Sequence, residues 1–418
     1  METEATDNAE FGWFEKRYVQ TQTTLSAGGG DAPFSPTGSN TASASPLSLA
    51  AGTVYRINVA DTSQFRVTQV IHIQRLPLTN STFIDVRGTV TEIVNSTHLE
   101  FRCLEAAAAV LNTTNTITSG TKGPVNAVVV PIGTSVEEGG SSTGNGRLTI
   151  PCNPTNYTQI FRTPFSFTNT ALQQPTNFDK TGIYREKAKD NCVDHMTEIE
   201  KAILFGTKSL ATATAADGED VPIRTTGGVE YFLRQWEVAA SIYRGSSSSA
   251  LTADTDDEKR IIDNVTGTMT KAVFNSYIER AFRVTNNKSY EKLVLCGSGV
   301  LTTINDLIEA RIVVNKNMPA ESTFGMNVTS IETPHGVLHF KSHPLFTEVS
   351  NWRYMMMILD VQNMRFRPLN NRDTMLRRGI QANDADRRKD EWLTEAGLEV
   401  RKPEANMIIK NFQAVTLT

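Results

Sequence analysis

The sequence predicts an α+β protein with a small all-β unit inserted near its start, and three observations carry that reading. Residues 1–150 hold about 9 of the 41 Lys+Arg and are crowded with Thr, Ser, Asn and Gly, the residues of strands and turns. A stretch of helical spacing then runs over 183–205, and beyond residue 290 short apolar runs alternate with helical ones. At 418 residues the chain has room for two or three packed units, because single cores stop growing near ~250–300 residues.

In chain order, the acidic, polar start METEATDNAE is the opposite of a signal or transit peptide. Segments 10–25 and 148–172 are rich in Thr and Gln with aromatics interspersed: Phe11, Trp13, Phe14 and Tyr18, then Tyr157, Phe161, Phe165 and Phe167. They predict a two-stranded arm. An isolated ribbon is marginal in water, so the arm needs a partner's surface to lie on. Residues 27–48 are low in apolar side chains and read as an exposed loop. Strands at 54–59, 67–73, 90–93, 99–101 and 128–132, with a turn at Asn95-Ser96, predict a β-barrel or sandwich over 50–135. The Gly-rich joint at 136–147 closes it.

The helix at 183–205 spaces Ala188, Cys192, Met196, Ile199 and Ile203 at intervals of three and four, with Gly206 as its stop. It would be ~35 Å long. A polar loop over 207–227 leads to a second helix at 229–243, with Val229, Phe232, Leu233, Trp236 and Tyr243 on one stripe. A third helix follows at about 267–282. Next come a strand at 292–295, a turn at 296–299, a helix at 301–310 and a hairpin pairing 327–332 with 337–341. Apolar strands at 354–361 and 364–368 precede two alternating segments, 391–400 and 406–412, which read as a strand pair closing a sheet.

Composition narrows the function. A net charge of −4 gives no basic field for nucleic-acid binding, and no apolar run approaches the ~18–20 residues that span a bilayer. The reading is of a soluble chain made and kept in a cytoplasm. Cys103, Cys152, Cys192 and Cys296 have no C-x-x-C spacing, which excludes a zinc knuckle. Cys296-Gly297-Ser298-Gly299 between strand and helix has the context of a dinucleotide-binding turn, but Thr302 stands where the third glycine belongs. Gly206-Thr207-Lys208-Ser209 lacks the upstream glycine of a phosphate loop. His335, His339 and His343 would lie about 13 Å apart on a strand, too far to share a metal. Asp254, Asp256 and Asp257 lack the turn glycine and closing glutamate of a calcium loop. No catalytic, cofactor or metal site is predicted. Arg377, Arg378, Arg387, Arg388 and Lys389 interleave with Asp384, Asp386, Asp390 and Glu391, either as a solvated mixed-charge face or as ion pairs between subunits that set register.

The order of parts resembles the major capsid proteins of tailed phages with the Hong Kong 97 fold, in the branch with a β insertion in the extended E-loop. The segments that carry the resemblance are Phe161-Arg162-Thr163-Pro164-Phe165, Ala202-Ile203-Leu204-Phe205-Gly206, Arg224-Thr225-Thr226-Gly227-Gly228, and Thr394-Glu395-Ala396-Gly397-Leu398-Glu399 with Pro403-Glu404-Ala405. The resemblance implies a short N-terminal arm (1–9), E-loop halves (10–49 and 136–172) around the inserted domain (50–135), and a peripheral domain with a spine helix (173–209). An axial domain with connecting peripheral elements (210–380) and closing peripheral strands (381–418) would follow. The short arm implies either a small arm or a precursor trimmed by a maturation protease.

The implied function is a non-enzymatic major capsid protein that self-assembles into an icosahedral shell around the double-stranded DNA of a tailed phage. Its implied partners are copies of itself in hexamers and pentamers, a separate scaffold protein, a portal and decoration or cement proteins, with no membrane. The expected subunit interface is Trp13, Phe14, Tyr18, Phe161, Phe165, Phe167, Arg377, Arg378, Arg387 and Arg388. An encapsulin-like nanocompartment shell and a nucleotide-binding enzyme using Gly297-Ser298-Gly299 stay open as alternatives.

Overall fold

The computed structural model describes residues 1–16, 22–25, 34–36, 47–77, 83–105, 107–111, 127–139, 151–173, 183–214, 219–243, 250–251, 258–263, 269–284, 290–308, 329–370 and 372–412. The chain divides into two compact units, Lys16–Pro151 and Met1–Glu15 with Cys152–Thr418.

Lys16–Pro151 is built on a seven-stranded antiparallel sheet in the order Thr23–Thr24, Val128–Thr134, Gln69–Pro77, Phe83–Ile93, His98–Cys103, Val54–Asn58, Phe34–Pro36. Alternate residues such as Tyr55 and Ile57, Ile71 and Ile73, and Leu99 and Phe101 enter one core. A bridge from Leu25 to Val59, supported by the Ala60 amide on the Thr24 carbonyl, joins the first strand of that order to the sixth. The sheet thereby closes on itself as a small barrel, which removes exposed edges between those strands. The sequence places this unit at 50–135, but strands at 23–24 and 34–36 belong to the same sheet. Two- and three-residue strands in a Gly- and Ser-rich stretch carry too little alternation to be read.

The second unit contains two larger sheets. In the five-stranded one, Arg387–Val400 is central. Gln159–Thr168 pairs with it from Gln159↔Ala396 to Thr168↔Arg387 on one side; Met364–Pro368 and Met375–Arg377 pair with it on the other. Glu2–Thr3 adds a short parallel strand to Met364–Pro368. The six-stranded sheet runs Ile261–Asp263, Met407–Lys410, Met356–Leu359, Glu291–Cys296, Gly336–Ser342, Thr329–Thr333, and the helices Lys271–Arg283 and Ser298–Ile308 share its apolar core.

Four expectations change. Among the described residues the arm segments pair over Glu10–Gly12 with Thr155–Tyr157 and at Glu15↔Cys152, and Gln159–Thr168 takes Arg387–Val400 as its partner. The loop at 207–227 contains a hairpin, Ser209–Thr214 with Asp220–Thr225. The helix from Val229 stops at Glu237, whose carboxylate accepts the Arg260 and Ile261 amides at 2.7 and 2.6 Å; burial holds that carboxyl above its ordinary pKa. The last two strands do not pair: Arg387–Val400 and Met407–Lys410 lie in different sheets, joined across Lys402, which sits in the left-handed region at φ 49°.

The long helix Ile183–Phe205 matches its expected span, but a different face is buried. Asn191, His195, Ile199 and Leu204 are buried, whereas Met196 is 44% exposed and Val193 58%. The polar face succeeds because the five-stranded sheet offers partners. Trp392 donates its indole N–H to the Ala188 carbonyl at 3.0 Å, and His195 bridges Thr163 Oγ1 (2.9 Å) and Thr394 Oγ1 (2.8 Å). A neutral imidazole meets both hydroxyls, donating through one nitrogen and accepting through the other. Burial pushes the His195 pKa below its ordinary 6.5, against a smaller opposing pull from Glu198. The unfolded chain therefore takes up a proton first as pH falls. Stability from the neutral ring is complete above about pH 6.5 and declines below it, by at most about 1.4 kcal/mol per pH unit. Urea melts from pH 7.5 to 5 check this: His195→Gln should flatten the acid limb, and an unchanged limb would remove His195 as its cause.

Candidate assembly surface

The ten expected interface residues separate by burial. Trp13, Phe161 and Phe165 are 4%, 7% and 5% exposed within their own subunit, so they are corrected to core residues. The Trp13 ring lies 5.6 Å from that of Phe232 and its N–H donates to Glu15 Oε1, while Phe165 packs on Tyr184. Phe167 is half-buried. Phe14 is 77% exposed, as strand alternation after a buried Trp13 dictates. Arg377, Arg378 and Arg387 are exposed and Arg388 is half-buried; Tyr18, like Asp254, Asp256 and Asp257, lies outside the described residues.

Two of these arginines belong to a larger arrangement. Glu391, Glu395 and Glu399 recur every four residues on one face of Arg387–Val400, and all are buried. Each is covered by guanidinium groups: Arg162 (2.7 Å) and Arg377 (3.3 Å) on Glu391, Arg372 (3.0 Å) on Glu395, and Arg367 with Arg401 on Glu399. The carboxylates are inside and most of the arginines reach the surface, Arg162 at 55% and Arg377 at 50% exposure, while Arg367 is largely covered. The acidic N-terminal strand extends the row, Glu2 meeting Arg365 and Glu4 meeting Arg365 and Arg367. On the opposite face Arg388 stacks on Tyr184 and pairs with Asp390. Burial works against the Asp390 charge, but hydrogen bonds from Tyr184 and the Gly379 amide, with Arg388 beside it, hold its pKa below the ordinary value. The mixed-charge run is thus largely an intrasubunit network, and Arg378 and Arg387 are its exposed remainder.

Among the described residues no group of three His, Cys, Asp or Glu could hold a metal. His343 meets Glu200 at 2.7 Å and His339 lies 3.6 Å from Glu291, so the two serve different partners. The Gly297-Ser298-Gly299 turn is filled by the chain itself: a Cβ at Gly297 would lie 2.3 Å from the Arg353 carbonyl oxygen, and one at Gly299 2.5 Å from the Tyr354 ring. Close packing against 353–354 therefore accounts for both glycines.

Comparison with known families matches residues 1–413 to the SU10 major capsid protein. The chain belongs to that family. The match agrees with the tailed-phage major capsid protein that the sequence resembles. The major capsid protein of Pseudomonas phage PaMx41 is 25% identical over 253 residues, 59% of this chain and 53% of that one, so the alignment spans about half of the relative's length. Among solved structures, the cyanophage A-1(L) capsid asymmetric unit is similar over 67% of this chain and 85% of its own (11% identity, TM-score 0.43). The holo-SrpI encapsulin complex of Synechococcus elongatus PCC 7942 is similar over 65% and 81% (8% identity, TM-score 0.38).

The capsid segments that carried the resemblance have physical reasons. Asn156, fully buried, donates to Thr226 Oγ1 (3.1 Å), the Gly227 carbonyl (2.9 Å) and the Leu398 carbonyl (2.6 Å), and accepts from the Gly227 and Tyr157 amides at 2.8 and 2.9 Å. Gly228 lets that strap reach the end of the long helix, since a Cβ there would lie 2.6 Å from the Ala202 and Ile203 carbonyl oxygens. Gly397 leaves room for the Phe11 ring, which a Cβ would meet at 2.7 Å. The Pro403–Ala405 turn takes its place because buried Lys292 donates to the Ala281 and Ala405 carbonyls, both at 2.6 Å; burial lowers that amine to about 8.

Asn156→Leu keeps similar volume but removes the side-chain partner of two carbonyls, a hydroxyl and two amides, and a buried group left unpaired costs about 1–3 kcal/mol. Chemical denaturation of the capsid subunit should show a loss of at least about 3 kcal/mol. A loss below about 1 kcal/mol would mean that the strap is held by something else.

Proposed function

We infer that the chain is the shell-building subunit of a tailed phage, self-assembling in hexamers and pentamers into the icosahedral capsid around its double-stranded DNA. The family match over residues 1–413 carries this reading. A net charge of −4 supports confinement of the genome by the closed shell rather than by tight binding to its subunits. A separate scaffold protein, a portal and decoration proteins complete the proposed partners.

The buried aromatics leave Phe14, Arg378 and Arg387 as the proposed subunit contacts. Large exposed apolar groups flanked by charge suit contacts that are dry at the centre and polar at the rim. Surface changes away from caps and cores shift stability by about ±0.5 kcal/mol or less. Phe14→Ser and the pair Arg378→Glu, Arg387→Glu should therefore leave the subunit melt unchanged while reducing particle yield at least several-fold.

Expression with and without the neighbouring viral genes, followed by light scattering and electron microscopy, tests the function itself. Closed megadalton shells or regular capsomers support it. A monomer or small oligomer with the scaffold gene present would overturn it. Normal shells from the Phe14 and arginine variants would remove only the assigned contacts.

A further inference from the structure

The hairpin Ser209–Thr214 with Asp220–Thr225 is amphipathic and, among the described residues, uncovered. Its register is regular over six residue pairs, from Ser209↔Thr225 to Thr214↔Asp220. Ala211 faces Ile223 and Ala213 faces Val221, so one side of the ribbon is apolar along its centre. The other side carries Leu210, Thr212, Pro222 and Arg224. In a folded subunit the apolar side of such a ribbon is normally packed away. Here Val221 is 42% exposed and Ile223 50%, Ala211 is exposed, and neither strand pairs with a third.

The ribbon is nevertheless rigidly rooted. Thr225 Oγ1 donates to the Thr207 carbonyl at 2.7 Å, the Gly228 amide donates to the Gly206 carbonyl at 2.8 Å, and Thr226 and Gly227 are held by Asn156. Its direction is set by the buried strap at the end of the long helix. A two-stranded ribbon is marginal in water by itself, and fixing one in place with its apolar side bare makes sense only if something covers it.

The size of the face identifies the occupant. Six residue pairs present roughly 200–300 Å² per side, about a third of the ~800 Å² that each partner of a specific complex contributes. An independent partner could not be held by so small a face. A copy already tethered by other contacts could, because linked contacts turn a weak one into an intramolecular event.

We propose that the apolar side of this ribbon docks on a second copy of the same chain within the shell, as one weak contact among several. This rests on the shell function above. The ribbon does not dimerise free subunits, and it is covered only on assembly.

Hydrogen exchange on wild-type protein before and after assembly reads this directly. Amides of 209–214 and 220–225 should slow at least tenfold in shells, while light scattering on dilute subunits shows no ribbon-dependent dimer. The double variant Val221→Thr, Ile223→Thr keeps β-branched side chains and should melt with the wild type, yet need a several-fold higher concentration to assemble. Wild-type exchange in the ribbon that is as fast in shells as in free subunits overturns the proposal, even if the variant misfolds. So does assembly of a well-folded variant at the wild-type threshold. Failure of the wild type to form any shell would instead overturn the shell function.

Discussion

A single buried carboxamide holds the architecture of the capsid body together. Asn156 reaches three chain segments far apart in sequence: its own short strand, the Thr226–Gly227 strap and the central strand at Leu398. A buried amide that meets all its partners specifies one arrangement strongly, because each alternative packing leaves groups unpaired in a low-dielectric interior. The glycines at 228 and 397 exist to permit the same approach of backbone to backbone and backbone to ring. With the strap fixed, the end of the long helix, the start of the next helix and the root of the exposed hairpin are all fixed as well.

The five-stranded sheet solves a related problem with charge. Three glutamates on one face of its central strand are buried, and each lies within ion-pair distance of arginines from neighbouring strands or the adjoining turn. Buried ion pairs contribute little net stability, but breaking one leaves an uncompensated charge. They therefore fix the register of the flanking strands more than they strengthen the sheet. The opposite face buries His195 between two threonine hydroxyls by the same logic. The arginines are thereby engaged inward, and a smaller set of apolar and charged side chains is left exposed.

Burial within the subunit explains why three aromatic residues read as surface residues in the sequence. Trp13, Phe161 and Phe165 lie on extended, Thr-rich segments that read as an arm needing an outside surface. The surface they need is in their own chain: Phe232 and its neighbours for Trp13, and the long helix for Phe165. Which apolar side chains are covered depends on the partner strand, and ten residue pairs between 159–168 and 387–400 lie more than two hundred positions apart.

By itself the sequence determined the α+β class, the all-β insertion, the span of the long helix and the family, because these rest on local periodicity and on ordered motifs. It also placed the hairpin at 329–342 and the strand at 364–368 closely. Tertiary structure alone decided which face of the long helix is buried, that the last two strands enter different sheets, and that the hairpin after the helix stays bare. The physical reason is that burial depends on what stands opposite. A histidine is a good core residue where two hydroxyls meet it, and a valine is a surface residue where nothing does; neither fact is written in the spacing of the chain.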